Sequence, residues 1–272
     1  MRFGLALGGG GARGVAHIPV LETFDELGIR PSVISGTSIG AIMGAAYASG
    51  MTGVEIREFA LDRFAKRSEL ISRLWQVRPR SIMDWINGNS GAGQVDAERV
   101  VEVFLPESLP VRIEDCGTAF SCVATDFYSG TPVVLNSGSL RQSIAASIAL
   151  PFLFKPVQIN GRYLVDGGFV DPVPVSHIRD EAEFIIAVDV VGKPVGDPTT
   201  MPGAFETLIG GSQILMNTIA REKARYAPAE ITLIPDIHEF KVLDFYQVKD
   251  ILAASEPMKD ELKRALSLQL DK

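Results

Sequence analysis

Two cysteines, two tryptophans and three histidines are all that the 272 residues contain of those types. Cys116 and Cys122 stand six positions apart in an apolar stretch that reads as extended. At about 3.3 Å per residue their Cα atoms lie roughly 20 Å apart, beyond disulfide reach, so two free thiols are expected. Positive charge is also scarce: 26 Lys plus Arg against 33 Asp plus Glu leave a net charge of −7. That excludes the clustered basic surface of a general nucleic-acid binder. No run approaches the roughly 18 uninterrupted apolar residues of a membrane span. The apolar part of Met1-Arg2-Phe3-Gly4-Leu5-Ala6-Leu7 ends at the glycines that follow, too soon for a signal peptide. It reads as a first strand, and a cytoplasmic protein is expected. Internal repeats and low-complexity linkers are missing, which points to one domain over residues 1–272.

What is present is alternation. Short apolar runs at 2–7, 31–35, 118–125, 132–135, 162–165, 184–190 and 231–234 read as strands. Between them, residues 15–27, 39–49, 140–149 and 205–226 carry helical spacing, with further helices at the C-terminus. Strands alternating with helices imply an α/β fold, a mainly parallel central sheet covered on both faces. The turn Asp126-Phe127-Tyr128-Ser129-Gly130 joins two of the strands as a hairpin. The loop 193–203, with Pro194, Pro198 and Pro202, reads as surface.

Gly9-Gly10-Gly11-Ala12-Arg13-Gly14 satisfies Gly-x-Gly-x-x-Gly between a strand and a helix. A dinucleotide site also needs an acid about 20 residues on, at the end of the second strand, for the ribose. That place holds Ile34-Ser35-Gly36-Thr37-Ser38, with no acid, and no Gly-Lys-Ser/Thr follows the glycines. Gly36-Thr37-Ser38-Ile39-Gly40 instead forms Gly-x-Ser-x-Gly after a strand and before a small-residue helix, the setting of a nucleophile elbow. Ser38 is therefore the expected nucleophile, with Gly36 and Gly40 permitting the sharp turn. Its base has several contenders. Ser38, Asp166 and His177 follow the chain order of α/β-hydrolase triads, but the nucleophile stands far earlier in this chain than is usual there. His17, on the first helix, suits a structural hydrogen bond, and His238 a surface position. Asp166, at a strand end in Asp166-Gly167-Gly168, stands where α/β folds project catalytic groups.

The glycine loop, the Gly-x-Ser-x-Gly elbow and Asp166-Gly167-Gly168, in this order and spacing, resemble the patatin-like phospholipase family. Ala124-Thr125-Asp126 and the stretch from Ser143 to Ser147 through Pro151 and Phe154 add to the likeness, which covers nearly the whole chain. The resemblance implies a three-layer α/β/α fold related to acyl-carrier-protein transacylases. It also implies a Ser38–Asp166 dyad without catalytic histidine, an acyl-enzyme, and no metal or cofactor. One departure is Asp171, where relatives often carry Asn; it bears on how the loop holds Asp166. Attack on an ester puts charge on the carbonyl oxygen, and preorganised N–H donors stabilise it. The oxyanion hole is assigned to Gly9, Gly10, Gly11, Arg13 and Gly14, with Gly10 and Gly11 the foremost donors and the Ile39 N–H assisting. Arg13 suits loop orientation, a lipid head group or an ion pair.

The implied activity is a lipid acyl hydrolase of phospholipase A or lysophospholipase type. An acyltransferase on the same scaffold and a non-catalytic regulatory protein are the alternatives. Residues 57–80 carry an excess of four positive charges interleaved with Leu61, Phe64, Leu70, Ile71, Leu74 and Trp75. This basic amphipathic segment suits either a helix packed on the core or a helical cap at about 54–95 that touches anionic lipid, giving a peripheral location.

Overall fold

The computed structural model describes residues 1–64 and 94–270. Its centre is one eight-stranded sheet: β1 (Phe3–Leu7), β2 (Val33–Thr37), β3 (Ala119–Asp126), β4 (Pro132–Leu135), β5 (Val157–Ile159), β6 (Arg162–Asp166), β7 (Phe184–Val188) and β8 (Ile231–Leu233). Strands β3-β2-β1-β7-β8 run parallel, while β4, β5 and β6 form an antiparallel flank around β3. The helices are α1 (His17–Glu26), α2 (Ile39–Ala48), α3 (Gly53–Phe64), α4 (Ala97–Phe104), α5 (Leu140–Ser147), α6 (Ala204–Tyr226), α7 (Val248–Ser255) and α8 (Pro257–Leu270). No described helix is long and apolar enough to cross a membrane.

Because strand side chains alternate between faces, the sheet feeds two cores. Leu5, Leu7, Ile34, Phe184, Ile186 and Val188 join the larger one, with residues of α1, α2, α7 and α8. Ala6, Val33, Ile185 and Ala187 face the other side, against Val175, Ile178 and Ala182. Strands β1, β2 and β7 are buried on both faces, as parallel strands under helices must be.

Several boundaries differ from expectation. Residues Gly11–Ala16 form a 3₁₀ turn, so α1 starts at His17 rather than at residue 15. Strand β2 runs to Thr37, two residues beyond the expected end, because β1 and β3 hold Gly36 from both edges and β3 holds Thr37. Strand β5 and helix α4 were not expected. Cys116 and Cys122 are free thiols.

The expected cap at about 54–95 falls mostly outside the described residues, Trp75 and Trp85 included. Its described start, α3, packs Ile56 and Ala60 into the core. Arg57 makes a two-pronged bond to buried Glu22 and a further one to Glu256, so its charge serves the fold.

One feature of the ladder positions the site. Thr37 is the last residue of β2 and pairs with Val123. The opposite edge of β3 is taken by β4, which pairs with Cys122 through Thr125. Strand β6 therefore meets β3 on the edge that β2 vacates, and Asp166 pairs with Ala124, one rung beyond Thr37. Ser38 leaves the sheet at the rung where Asp166 arrives.

Candidate active site

Ser38 has φ 54° and ψ −122°, a strained conformation for a residue with a side chain. The flanking glycines make it feasible. A methyl at Gly40 would lie 2.1 Å from the Leu7 carbonyl oxygen, and one at Gly36 would lie 2.4 Å from the Gly40 carbonyl oxygen. A side chain at Gly40 would push α2 off the end of β1, and one at Gly36 would push it off β2. Ser147, on α5, clamps the turn: the Ser38 N–H donates to Ser147 Oγ at 2.9 Å, and that hydroxyl donates to the Val123 carbonyl at 2.6 Å.

Ser38 Oγ donates to Asp166 Oδ2 at 2.6 Å. The other carboxylate oxygen accepts the Gly168 N–H at 2.8 Å, and the Asp166 carbonyl accepts from Thr125 Oγ1 at 2.7 Å. Asp166 is 3% exposed. Burial raises its pKa to about 6, against the opposing pull of the Ser38 and Gly168 bonds. A carboxylate in that range is ionised at neutral pH yet basic enough to take a proton.

The glycine loop lies against this pair: a methyl on Gly9 would sit 3.3 Å from Ser38 Cβ. Its N–H groups divide into two sets. Gly8 donates to Val188, Gly9 to Pro172 and Ala12 to Val242. Gly10 and Gly11, both half-buried, have no acceptor among the described residues. Three loop residues expected in the oxyanion hole have other duties here. The Gly9 N–H is spent on Pro172. Gly14 is bare so that Ile39 can pack on it, since a methyl there would meet the Ile39 side chain at 2.2 Å. Arg13 is fully buried and turns its guanidinium to the carbonyls of Val191 and Lys193. Burial draws its pKa down to about 10, with Asp189 opposing, and it stays charged at neutral pH. It ties the loop to the segment after β7.

The histidines stand apart from the pair. His17 is buried beside the loop, with Nε2 2.9 Å from the Gly8 carbonyl, and burial lowers its pKa to about 4. His177 Nε2 lies 3.0 Å from Asp171 Oδ2, close enough for charge pairing but without hydrogen-bond geometry. Asp171, 1% exposed, is compensated by Lys223 Nζ at 2.7 Å. Its backbone staples the site: the N–H donates to the Gly167 carbonyl and its carbonyl accepts from Thr37 Oγ1, both at 2.8 Å. Where a neutral Asn would need no counter-ion, this Asp is paired with a lysine 52 positions away. Ser147 entered the sequence reading only as the end of a family-like stretch, without a role, and Lys223 not at all, because each acts on residues distant in the chain.

Beside the nucleophile, a narrow apolar groove begins at Ile39 and passes Ile42, Met43 and Ala46 of α2 toward Phe59, Phe64 and Phe104.

The described geometry can be set beside known proteins. The family model for patatin-like phospholipase matches residues 5–178, a stretch holding Ser38, Asp166 and the glycine loop. The chain belongs to the patatin-like phospholipase family. An NTE family protein of Mycobacterium tuberculosis is 36% identical over 197 residues, covering 72% of this chain and 51% of that protein. "Lysophospholipase NTE1" of Saccharomyces cerevisiae is 30% identical over 276 residues, covering 92% of this chain and 16% of its own length. The chain thus spans about half of the first and a small part of the second. The crystal structure of VipD from Legionella pneumophila superposes with a TM-score of 0.50 at 15% identity, over 95% of this chain and 66% of that one; it shares the fold.

Proposed function

We propose that the chain is a serine hydrolase of lipid acyl esters, of phospholipase A or lysophospholipase type. The observation that carries this reading is the 2.6 Å bond from Ser38 Oγ to a buried Asp166 whose pKa is raised to about 6. In the proposed mechanism Ser38 Oγ attacks the ester carbonyl while Asp166 Oδ2 takes its proton. The oxyanion accepts the free N–H groups of Gly10 and Gly11, each worth roughly 100- to 1,000-fold in rate. Asp166 then protonates the departing alcohol, leaving Ser38 acylated. Water, deprotonated by the same carboxylate, releases the fatty acid.

The apolar groove starting at Ile39 supports an acyl substrate, since it leads away from the nucleophile along α2. Its open volume is only about 30 Å³, so a chain enters as the pliable Met43 and Met51 side chains move aside. Family membership supports the same substrate class. The test combines a fluorophosphonate probe with lysophosphatidylcholine and p-nitrophenyl esters of graded chain length. Labelling and fatty-acid release are expected in the native chain and not in Ser38→Ala. Labelling that persists in Ser38→Ala would overturn the proposal, and acyl transfer to an added alcohol in preference to water would favour the acyltransferase reading.

A further inference from the structure

One cavity away from the candidate site is lined by neither Ser38 nor Asp166. It lies between the β7–β8 side of the sheet and α6, with about 240 Å³ of open space. An apolar cavity of about 150 Å³ suffices for benzene, so a small organic molecule fits. Its walls are mainly apolar, from Val173, Val175, Ala187 and Ala220, and Tyr226 is exposed at its rim.

Two carboxylates, Asp171 and Asp189, line this cavity together with the Lys223 ammonium. Asp171 uses Oδ2 for Lys223, while its Oδ1, buried, has no hydrogen-bond donor among the described residues. Asp189 accepts only the Val191 N–H and has no ion pair within 4 Å among the described residues, Arg13 and His238 acting on it through space. A buried acceptor without a donor costs about 1–3 kcal/mol. Asp171 Oδ1 is such a group, and the two carboxylates face a single ammonium, Lys223, among the cavity's lining residues, which suits a ligand that brings N–H donors and positive charge. The apolar walls call for a hydrocarbon stem, and a tyrosine ring at the rim suits a cation.

We propose that this cavity binds a small primary ammonium compound with a short apolar stem, held by Asp171 and Asp189, and that its occupancy is transmitted to the Ser38–Asp166 pair through Asp171. The transmission path is covalently short. Asp171 ties the Gly167 carbonyl, next to Asp166, to Thr37, next to Ser38. A ligand that draws on the Asp171 carboxylate shifts the residue that spaces the two.

Titration calorimetry with n-butylammonium chloride, with 1-butanol as the neutral isostere, tests the site. Saturable binding of the ammonium and not of the alcohol is expected. Asp189→Asn and Ala220→Leu, which fills the cavity, should each weaken it at least about tenfold. Absence of saturable binding, equal binding of butanol, or equal binding to both variants and the native chain would overturn the site. The transmission rests on the proposed nucleophile, so its readout is the rate of fluorophosphonate labelling. Saturating butylammonium should change that rate at least about fivefold in the native chain and not in Ala220→Leu. An unchanged rate in the presence of demonstrated binding would overturn the transmission. A chain that never labels would instead overturn the catalytic reading, and calorimetry would still decide the site.

Discussion

Strands β1 and β2 are parallel neighbours in register, Leu7 beside Gly36, yet they leave the sheet in opposite ways. After β1 the chain spends Gly8 to Gly10 on an open loop and then a 3₁₀ turn, Gly11–Ala16, before α1 begins at His17. After β2 it turns on one residue, Ser38, at positive φ, and α2 starts immediately. The loose turn is cheap in strain and leaves two N–H groups free. The tight turn is strained and presents a hydroxyl. Donors and nucleophile thus come from two solutions to one geometric problem, placed side by side.

Removing the tight turn's hydroxyl should have the largest effect. Ser38→Ala is expected to lower ester hydrolysis at least about 10⁴-fold, read as initial rates at matched labelling background. Ser38→Gly should be as inactive yet more stable by about 1–3 kcal/mol, because glycine relieves the positive φ; a denaturant melt that shows no gain would remove strain from the comparison.

Asp166→Asn comes next, with a loss of about 10²- to 10⁴-fold. Native activity should fall about tenfold per pH unit below about pH 6 and level off above it, since Asp166 acts as a base only when ionised. Stability moves the other way. The folded pKa lies above the unfolded value of 3.8, so the penalty of the buried charge is absent below about pH 4. It grows as pH rises and is complete above about pH 6. A shift of about two units corresponds to about 3 kcal/mol, the upper bound for how far Asp166→Asn should stabilise the chain at pH 8. The gain should vanish in melts near pH 4.

The loose turn is sharpened by two glycines. Gly10→Ala forces a methyl to 2.2 Å from the Val190 carbonyl and displaces a free donor, so kcat should drop about 10²- to 10³-fold. Gly9→Ala meets Ser38 Cβ at 3.3 Å and leaves an N–H already committed to Pro172, and a loss below about tenfold is expected. Equal losses for the two would sink the division of donors. Ser147→Ala should be mildest in rate. It orphans the Ser38 N–H and the Val123 carbonyl, costing about 1–3 kcal/mol of stability in a thermal melt, with a rate change below about tenfold.

The parts legible in the sequence were those whose partners are sequence neighbours. The elbow declares itself because Gly36 and Gly40 serve the very turn they flank, and the glycine loop because strand, glycines and helix are contiguous. Strand β5 also had a local signal: Asn160-Gly161, both at positive φ, is the hairpin turn joining it to β6, but three residues carry too little pattern to read as a strand. Helix α4 had one in Asp96, whose side chain accepts the Glu98 N–H. The extra length of β2 was hidden because Ser35-Gly36-Thr37 is weak strand sequence held by its neighbours. Duties that cross the chain left no local trace. Arg13 binding carbonyls after β7, Ser147 clamping Ser38 and Lys223 neutralising Asp171 all depend on the sheet order that brings them together.

Thr37, next to Ser38, and Asp166 stand on consecutive rungs of β3, which anchors the reactive pair to the sheet's own ladder. Such a site cannot breathe open by loop fraying; separating the two groups means parting β3 from β2 and β6. Heat inactivation should therefore track cooperative melting of the whole domain, with no earlier stage at which a folded chain has lost its chemistry. The amide of Asp166, bonded to the Ala149 carbonyl, belongs among the last to exchange its hydrogen for solvent deuterium.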